Sequence, residues 1–139
     1  MFAGMSRYVI DAPTLLRLVA EGAPVDPRHQ IVAPNGIRSE ALRLLLTAVR
    51  QGELSEEVAL QHHERITELK MTLLGDRMSR KTAWKIAREQ DWDTTYYAEY
   101  LAVTRLQADA LITIDAALAT KANGLVPLAG IETLTTDHD

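Results

Sequence analysis

The chain has 139 residues, 15 Lys+Arg against 19 Asp+Glu for a formal net charge of −4, and a hydrophobic fraction of 47%. That length fits one domain of ordinary size, and that much apolar content excludes a disordered chain. No apolar run is long enough to span a bilayer, no secretory leader is evident, and the lack of cysteine excludes disulfides, thiolate zinc sites and a cysteine nucleophile. The expectation is a soluble, cytoplasmic, single domain over residues 1–139. Bulk acidity does not favour nucleic acid, so any such binding needs a local basic patch.

Residues 1–7 read as a short leader, in which Met5 is an alternative start. Tyr8-Val9-Ile10 is a β-type run closed by Asp11. Pro13 opens a helix over residues 14–21 and Gly22 stops it, the usual placement of these two residues. After a loop with two prolines, residues 30–33 form a second strand. Pro34-Asn35-Gly36 is turn chemistry. A strong helix is expected over residues 37–50, where Leu42, Leu45 and Val49 make a stripe that Ile37, Ala41, Leu44 and Ala48 widen. Gly52 ends it. Ser55, followed by Glu56 and Glu57, opens a further helix expected to reach Leu74. Gly75-Asp76 breaks that helix, and Ser79 is expected to cap a basic one through Glu89. A polar link from Asp91 to Thr95 precedes a helix to Leu106.

Ala110-Leu111-Ile112-Thr113-Ile114 is the clearest strand, again closed by an acid, Asp115. A short helix over residues 116–121, the turn Asn123-Gly124 and a last strand over residues 125–128 follow. Pro127 puts that strand at an edge. Residues 135–139 read as a frayed polar tail. Short apolar strands separated by helices predict an α/β fold with a mostly parallel sheet covered on both faces.

Two strands end alike, in an apolar run and then an aspartate. Ligands of open parallel sheets bind at the carboxyl ends of the strands, so Asp11 and Asp115 share one crevice if their strands are neighbours. Helix capping explains either residue taken singly. Glu40 is a third acid, in the first turn of its helix but on an apolar flank, where a carboxylate is costly unless paired, hydrogen-bonded or metal-bound. Its competing role is to complement the helix dipole. Carboxylates clustered without His or Cys suit a hard cation such as Mg²⁺, and such sites serve phosphodiester chemistry. Neither a Walker A loop nor G-x-G-x-x-G is present, which weakens nucleotide-fold alternatives. Arg77, Arg80, Lys81, Lys85 and Arg88 form a basic stretch; Lys81, Lys85 and Arg88 share a helix face that could track a phosphate backbone or simply be solvated. Trp84 is expected in the core. His62 and His63 read as surface residues.

Tyr8-Val9-Ile10-Asp11, Glu40 opening a Leu-rich helix, and Ala110 to Asp115 after a Tyr/Ala-rich helix resemble a PIN domain. In particular they resemble the VapC-type toxins of bacterial toxin–antitoxin pairs. The resemblance covers the chain from about Tyr8 to Leu134. It implies a three-layer α/β/α sandwich with a central parallel sheet, and RNA cleavage dependent on Mg²⁺ or Mn²⁺. It also implies an antitoxin partner that blocks the site, and a homodimer. By this resemblance Asp11, Glu40 and Asp115 are the catalytic and metal-holding acids, and Thr113 supports the last of them. The family helix reads Tyr-Asp-Ala-x-Tyr; here the matching residues are Tyr96-Tyr97-Ala98-Glu99-Tyr100, with Tyr97 where the pattern has Asp. Asp93, four residues earlier, is the nearest substitute metal-holding acid. Arg80, Lys81, Lys85 and Arg88 would contact the RNA. Two other readings stay open: a weakened PIN domain that binds a partner or RNA, and an unrelated parallel α/β phosphoryl-transfer enzyme.

Overall fold

The computed structural model describes residues 6–135. Met5, the start of the expected leader and the last four residues of the expected tail lie outside that range. Within it, the elements are β1 (Ser6–Ile10), α1 (Ala12–Glu21), β2 (His29–Pro34), α2 (Ile37–Arg50), α3 (Glu56–Glu68), β3 (Thr72–Leu74), α4 (Arg77–Gln90), α5 (Tyr96–Gln107), β4 (Ala110–Ile112), α6 (Ala116–Ala122), β5 (Leu128–Ala129) and α7 (Glu132–Thr135). Ser6 and Arg7 therefore belong to β1, where they pair with His29 and Gln30, and are not leader.

The five strands form one sheet in the order β3-β2-β1-β4-β5, and every pairing is parallel. Successive strand residues point to opposite faces, and the core follows that rule. Val9, Val32 and Leu111 pack on one face with Ala83, Ile86 and Ala87 of α4, residues 98 and 100–103 of α5, and Leu118 of α6. Ile10, Ile31, Ala33 and Ile112 pack on the other with Leu15 and Leu18 of α1, Ile37, Ala41 and Leu45 of α2, and Ile66 of α3. Strands buried on both sides have no polar alternation, which is why they read as short continuous apolar runs. The result is a three-layer α/β/α sandwich.

Local chemistry sets most boundaries. Asp11 caps α1, its side chain accepting from the Thr14 N–H, and Gly22 closes the helix at φ 66°, its N–H donating to the Leu18 carbonyl. That left-handed conformation is open to glycine at no steric cost. Ser55 caps α3 as expected.

Five expectations are corrected. The third helix does not reach Leu74: it stops at Glu68, and Thr72–Leu74 is the edge strand β3, paired with β2. The spacing of Leu69 and Leu73 suits a helix, but Leu69, Met71 and Leu73 all lie against the same core face. That is the two-residue period of extended chain. The cap of α4 is Asp76, accepting from the Ser79 N–H, rather than Ser79 itself. The strand expected over residues 110–114 ends at Ile112, because Thr113 and Ile114 turn to join the hydrogen bonds described below. Trp84 is not in the core but 64% exposed. Ser79, Ala83, Ile86 and Ala87 already complete the buried arc of α4, and the ring at position 84 falls outside it. His62 and His63 are half-buried rather than fully on the surface.

Burial separates two tests of this packing. Leu111→Ala removes a fully buried side chain from the centre of the sheet and should cost about 2–5 kcal/mol of unfolding free energy. Trp84→Ala should stay within about 0.5 kcal/mol of wild type despite losing a larger side chain. Urea denaturation of both variants checks the contrast.

Candidate functional site

From β1 the chain steps outward to β2 and β3, then returns to place β4 on the other side of β1. The β1–β4 junction is thus the point where strand order reverses, and ligands of open α/β sheets bind in the crevice outside the carboxyl ends of the strands there. Asp11 follows β1 directly and Asp115 lies just beyond β4, so both reach that crevice. Capping and a shared site turn out to be compatible: Asp115 also accepts from the Ala117 N–H, 3.1 Å, and caps α6.

Asp11 is only 2% exposed. One of its oxygens, Oδ1, accepts from the Thr14 N–H at 3.3 Å and from the Thr14 hydroxyl. The other, Oδ2, accepts from the Thr113 hydroxyl at 2.6 Å. Both threonines also serve the loop after β4. Thr14 Oγ1 accepts from the Ile114 N–H at 3.0 Å, and Thr113 Oγ1 from the Asp115 N–H at 2.9 Å. Thr113 therefore supports the last acid through its backbone while binding the first acid directly.

Glu40 comes from the first turn of α2, where Gly36 provides no side-chain cap. Its Oε1 accepts from the Tyr100 hydroxyl at 2.8 Å, and its Oε2 from the Tyr96 hydroxyl. Sequence reasoning missed this pair. The available signal was spacing, since Tyr96 and Tyr100 are four residues apart and share a helix face. Tyr97 is one position round the helix and points elsewhere: its ring lies edge-on to Tyr96 and under Lys121 Nζ, 5.6 Å from the centroid, beside Trp92. No hydrogen bond joins Tyr97 to any of the three acids among the described residues. Asp93 is exposed in the link before α5, and no hydrogen bond or ion pair of its side chain is found among the described residues. It does not cap α5; the Thr94 hydroxyl takes the Tyr96 N–H at 3.1 Å.

Two of the three acids are shifted by their surroundings. Burial raises the pKa of Asp11, against the pull of its Thr113 and Thr14 hydrogen bonds. Burial also raises that of Glu40; the Tyr100 hydrogen bond and Arg43 oppose the shift, and the charges of Asp11 and Asp115 add to it. Tyr100 is pushed far up by burial and by the adjacent Glu40 charge, so it stays a neutral donor. No Lys or Arg forms an ion pair with any of these acids among the described residues. Nor do any three acidic or histidine side chains there lie close enough, as they stand, to hold one metal ion together.

Of the expected RNA-binding residues, Lys81, Lys85 and Arg88 are exposed on α4. Arg80 is partly engaged, donating to the Gly75 carbonyl. A hollow beside Val25, His29 and Met71 lies at the amino ends of β2 and β3, away from the acids. No helix among the described residues is long and apolar enough to cross a membrane.

No protein-family model matches the chain, and no curated protein does. Its fold is similar to the crystal structure of PAE2754 from Pyrobaculum aerophilum, with a TM-score of 0.68 and 24% sequence identity over 94% of this chain and 94% of that one. Likeness at that identity speaks for the architecture alone.

The raised pKa of Asp11 has a sign that can be followed. Its unfolded value is near 3.8 and its folded value is higher. Between the two, the folded state holds more protons, so stability falls as pH rises through that window. Asp11→Asn removes the buried charge; its amide oxygen can still accept from Thr14, while its amide nitrogen can only donate to the Thr113 hydroxyl it faces. The variant should melt higher than wild type at pH 7, and the gap should narrow as pH falls through the folded pKa towards 3.8 and stay closed below it. Thermal melts across pH 3–8 read the difference.

Proposed function

We propose that the protein is a metal-dependent endoribonuclease that hydrolyses RNA phosphodiesters, acting as the toxin of a toxin–antitoxin pair. One observation carries this reading. Two desolvated carboxylates, Asp11 and Glu40, lie with Asp115 at the carboxyl end of a parallel sheet, where Glu40 senses the charges of both others, and no ion pair to any of the three is found among the described residues. Buried like charges left unpaired are costly, and a divalent cation would relieve that cost. The donor set suits Mg²⁺ or Mn²⁺, since both prefer oxygen ligands. Mg²⁺ commonly takes only one or two protein carboxylates and keeps several waters. Asp11 and Asp115 would hold the ion, with Glu40 adding negative charge beside them.

When bound, the ion supplies positive charge against the scissile phosphate and makes a water more acidic. The chain's own residues do the rest. Thr113 and Thr14 fix the Asp11 carboxylate, and Thr113 also holds the Asp115 backbone. Tyr96 and Tyr100 hold Glu40 at the crevice wall. Glu40, not needed to ligate the ion, would be the carboxylate left to accept a proton from attacking water. The antitoxin and a second copy of the chain are the protein partners of this reading. Leu42, Leu46 and Leu60 support it, being exposed along the seam of α2 and α3, where they offer an apolar surface for a protein.

Millimolar Mg²⁺ or Mn²⁺ should raise the melting temperature of the wild type and leave Asp11→Asn unmoved, because an ion that binds only the folded state stabilises it by mass action. Cleavage of a labelled RNA should need the metal and be lost in Asp11→Asn. Unchanged cleavage by that variant would overturn the assignment.

The second reading, a PIN-like domain that binds RNA or an antitoxin-like partner but cuts weakly, draws support from Tyr97. A neutral phenol stands where the family pattern has an acid, and its ring is occupied with Lys121. Tyr97→Asp should then raise metal-dependent cleavage by on the order of tenfold or more, the scale on which groups around a metal alter activity. No gain beside robust wild-type cleavage would show that position 97 is not disabling.

A further inference from the structure

The buried arc of α4 leaves a second face outward. Trp84 is 64% exposed and Met78 58%, and the indole shares a shallow hollow with Lys81, Lys85 and Arg88 as well as Thr82 and one acid, Glu89. None of the three cations forms an ion pair among the described residues, although the chain is acidic overall. We propose that this face binds single-stranded RNA outside the carboxylate crevice, with Trp84 stacking on an unpaired base and the flanking cations meeting the phosphates. The proposal names the form of RNA that the ribonuclease reading requires, and it rests on that reading.

Three features carry it. First, Trp84 contributes nothing to the core and lines one hollow with the exposed Met78, so the two form an apolar patch rather than a scattered residue. Second, Lys81 lies about 6 Å along the helix axis from Lys85, and Lys85 about 4.5 Å from Arg88, so the cations form a row beside the ring. A row of cations with an aromatic platform is how proteins hold single strands, whereas the bases of a duplex are already stacked on each other. Third, the composition argues against a protein partner. Lysine is depleted from the centres of protein interfaces, and two apolar side chains among three cations give little area for a standard one. The indole lies about 12 Å along α4 from its cap, Asp76. It therefore forms a separate contact, set back from the end of the sheet where the acids gather.

The test is fluorescence anisotropy with an unstructured RNA of about 12 nucleotides, at low salt and with a chelator present so that nothing is cut. Wild type should bind the single strand more tightly than a duplex of equal length. Trp84→Ala should weaken binding roughly 5- to 100-fold, the range measured for losing one stacked base, while Trp84→Phe retains most of the affinity. Lys81→Ala with Lys85→Ala should reduce the salt slope by about 1.4, at about 0.7 per single-strand phosphate contact. Unchanged affinity in Trp84→Ala, equal binding of duplex, or displacement of RNA by an equal concentration of poly-glutamate would each overturn the proposal. The last would reassign the face to an acidic protein. Trp84-dependent binding under chelator, with no cleavage in any metal, would uphold this proposal while removing the nuclease reading.

Discussion

The pairing of β1 with β4, closed at its carboxyl end by the Thr113–Asp11 hydrogen bond, is the constraint on which the site depends. Three residues of each strand are in register, Tyr8, Val9 and Ile10 against Ala110, Leu111 and Ile112. About a hundred residues of chain separate them, so the contact is formed late along the sequence and is expensive in loop-closure entropy. It is held by burial: Val9, Ile10, Leu111 and Ile112 are all inaccessible to water. Only because these two strands touch do two aspartates, each ordinary as a helix cap, reach one crevice.

The same constraint explains why threonine stands at positions 14 and 113. A carboxylate as enclosed as Asp11 is costly unless both oxygens are satisfied. Thr14 belongs to the helix that Asp11 caps, and Thr113 to the strand end beside it. Each hydroxyl donates to Asp11 and accepts from a backbone N–H of the loop after β4. The acid's hydrogen bonds are thus also the stitches that hold the crevice shut. They do not cancel the desolvation, since the pKa remains raised. The fold carries a destabilised group at this point, as binding and catalytic sites often do.

The architecture was legible because the strands obey simple rules. Apolar runs bounded by Gly, Pro and Asp marked β1, β2 and β4, and proline and glycine marked the ends of α1. The edge strand β3 was not legible: Leu69 and Leu73 fit a helical stripe, and three residues are too few to display a period of two. Trp84 failed for a related reason. Large aromatics are usually buried, and sequence alone does not reveal that Ala83 and Ala87 already bring α4 close to its neighbours. At the site, Asp11, Glu40 and Asp115 were visible as acids at strand and helix ends. The hydrogen bonds of Tyr96 and Tyr100 to Glu40 were not, because they join residues 56 and 60 positions apart and depend on how α5 lies across the sheet.

Helix α5 shows how one position can alter a charge balance without altering a fold. Its tyrosines 96 and 100 face α2 and neutralise much of the cost of placing Glu40 on an apolar flank. Tyr97, roughly 100° further round, faces α6 instead, where Lys121 sits over its ring and over that of Trp92. Such contacts are worth about 0.5–2 kcal/mol depending on desolvation, enough to fix the lysine where it is. An acid at position 97 would pair with that cation or add a fourth negative charge to the crevice, and would be held at either by the same backbone. Tyrosine does neither: it leaves Glu40 under the charges of Asp11 and Asp115, and keeps a cation over its own ring. The ring also fills space against the core, a contact that an acid at this position would give up. A neutral phenol at position 97 adds no negative charge to the crevice.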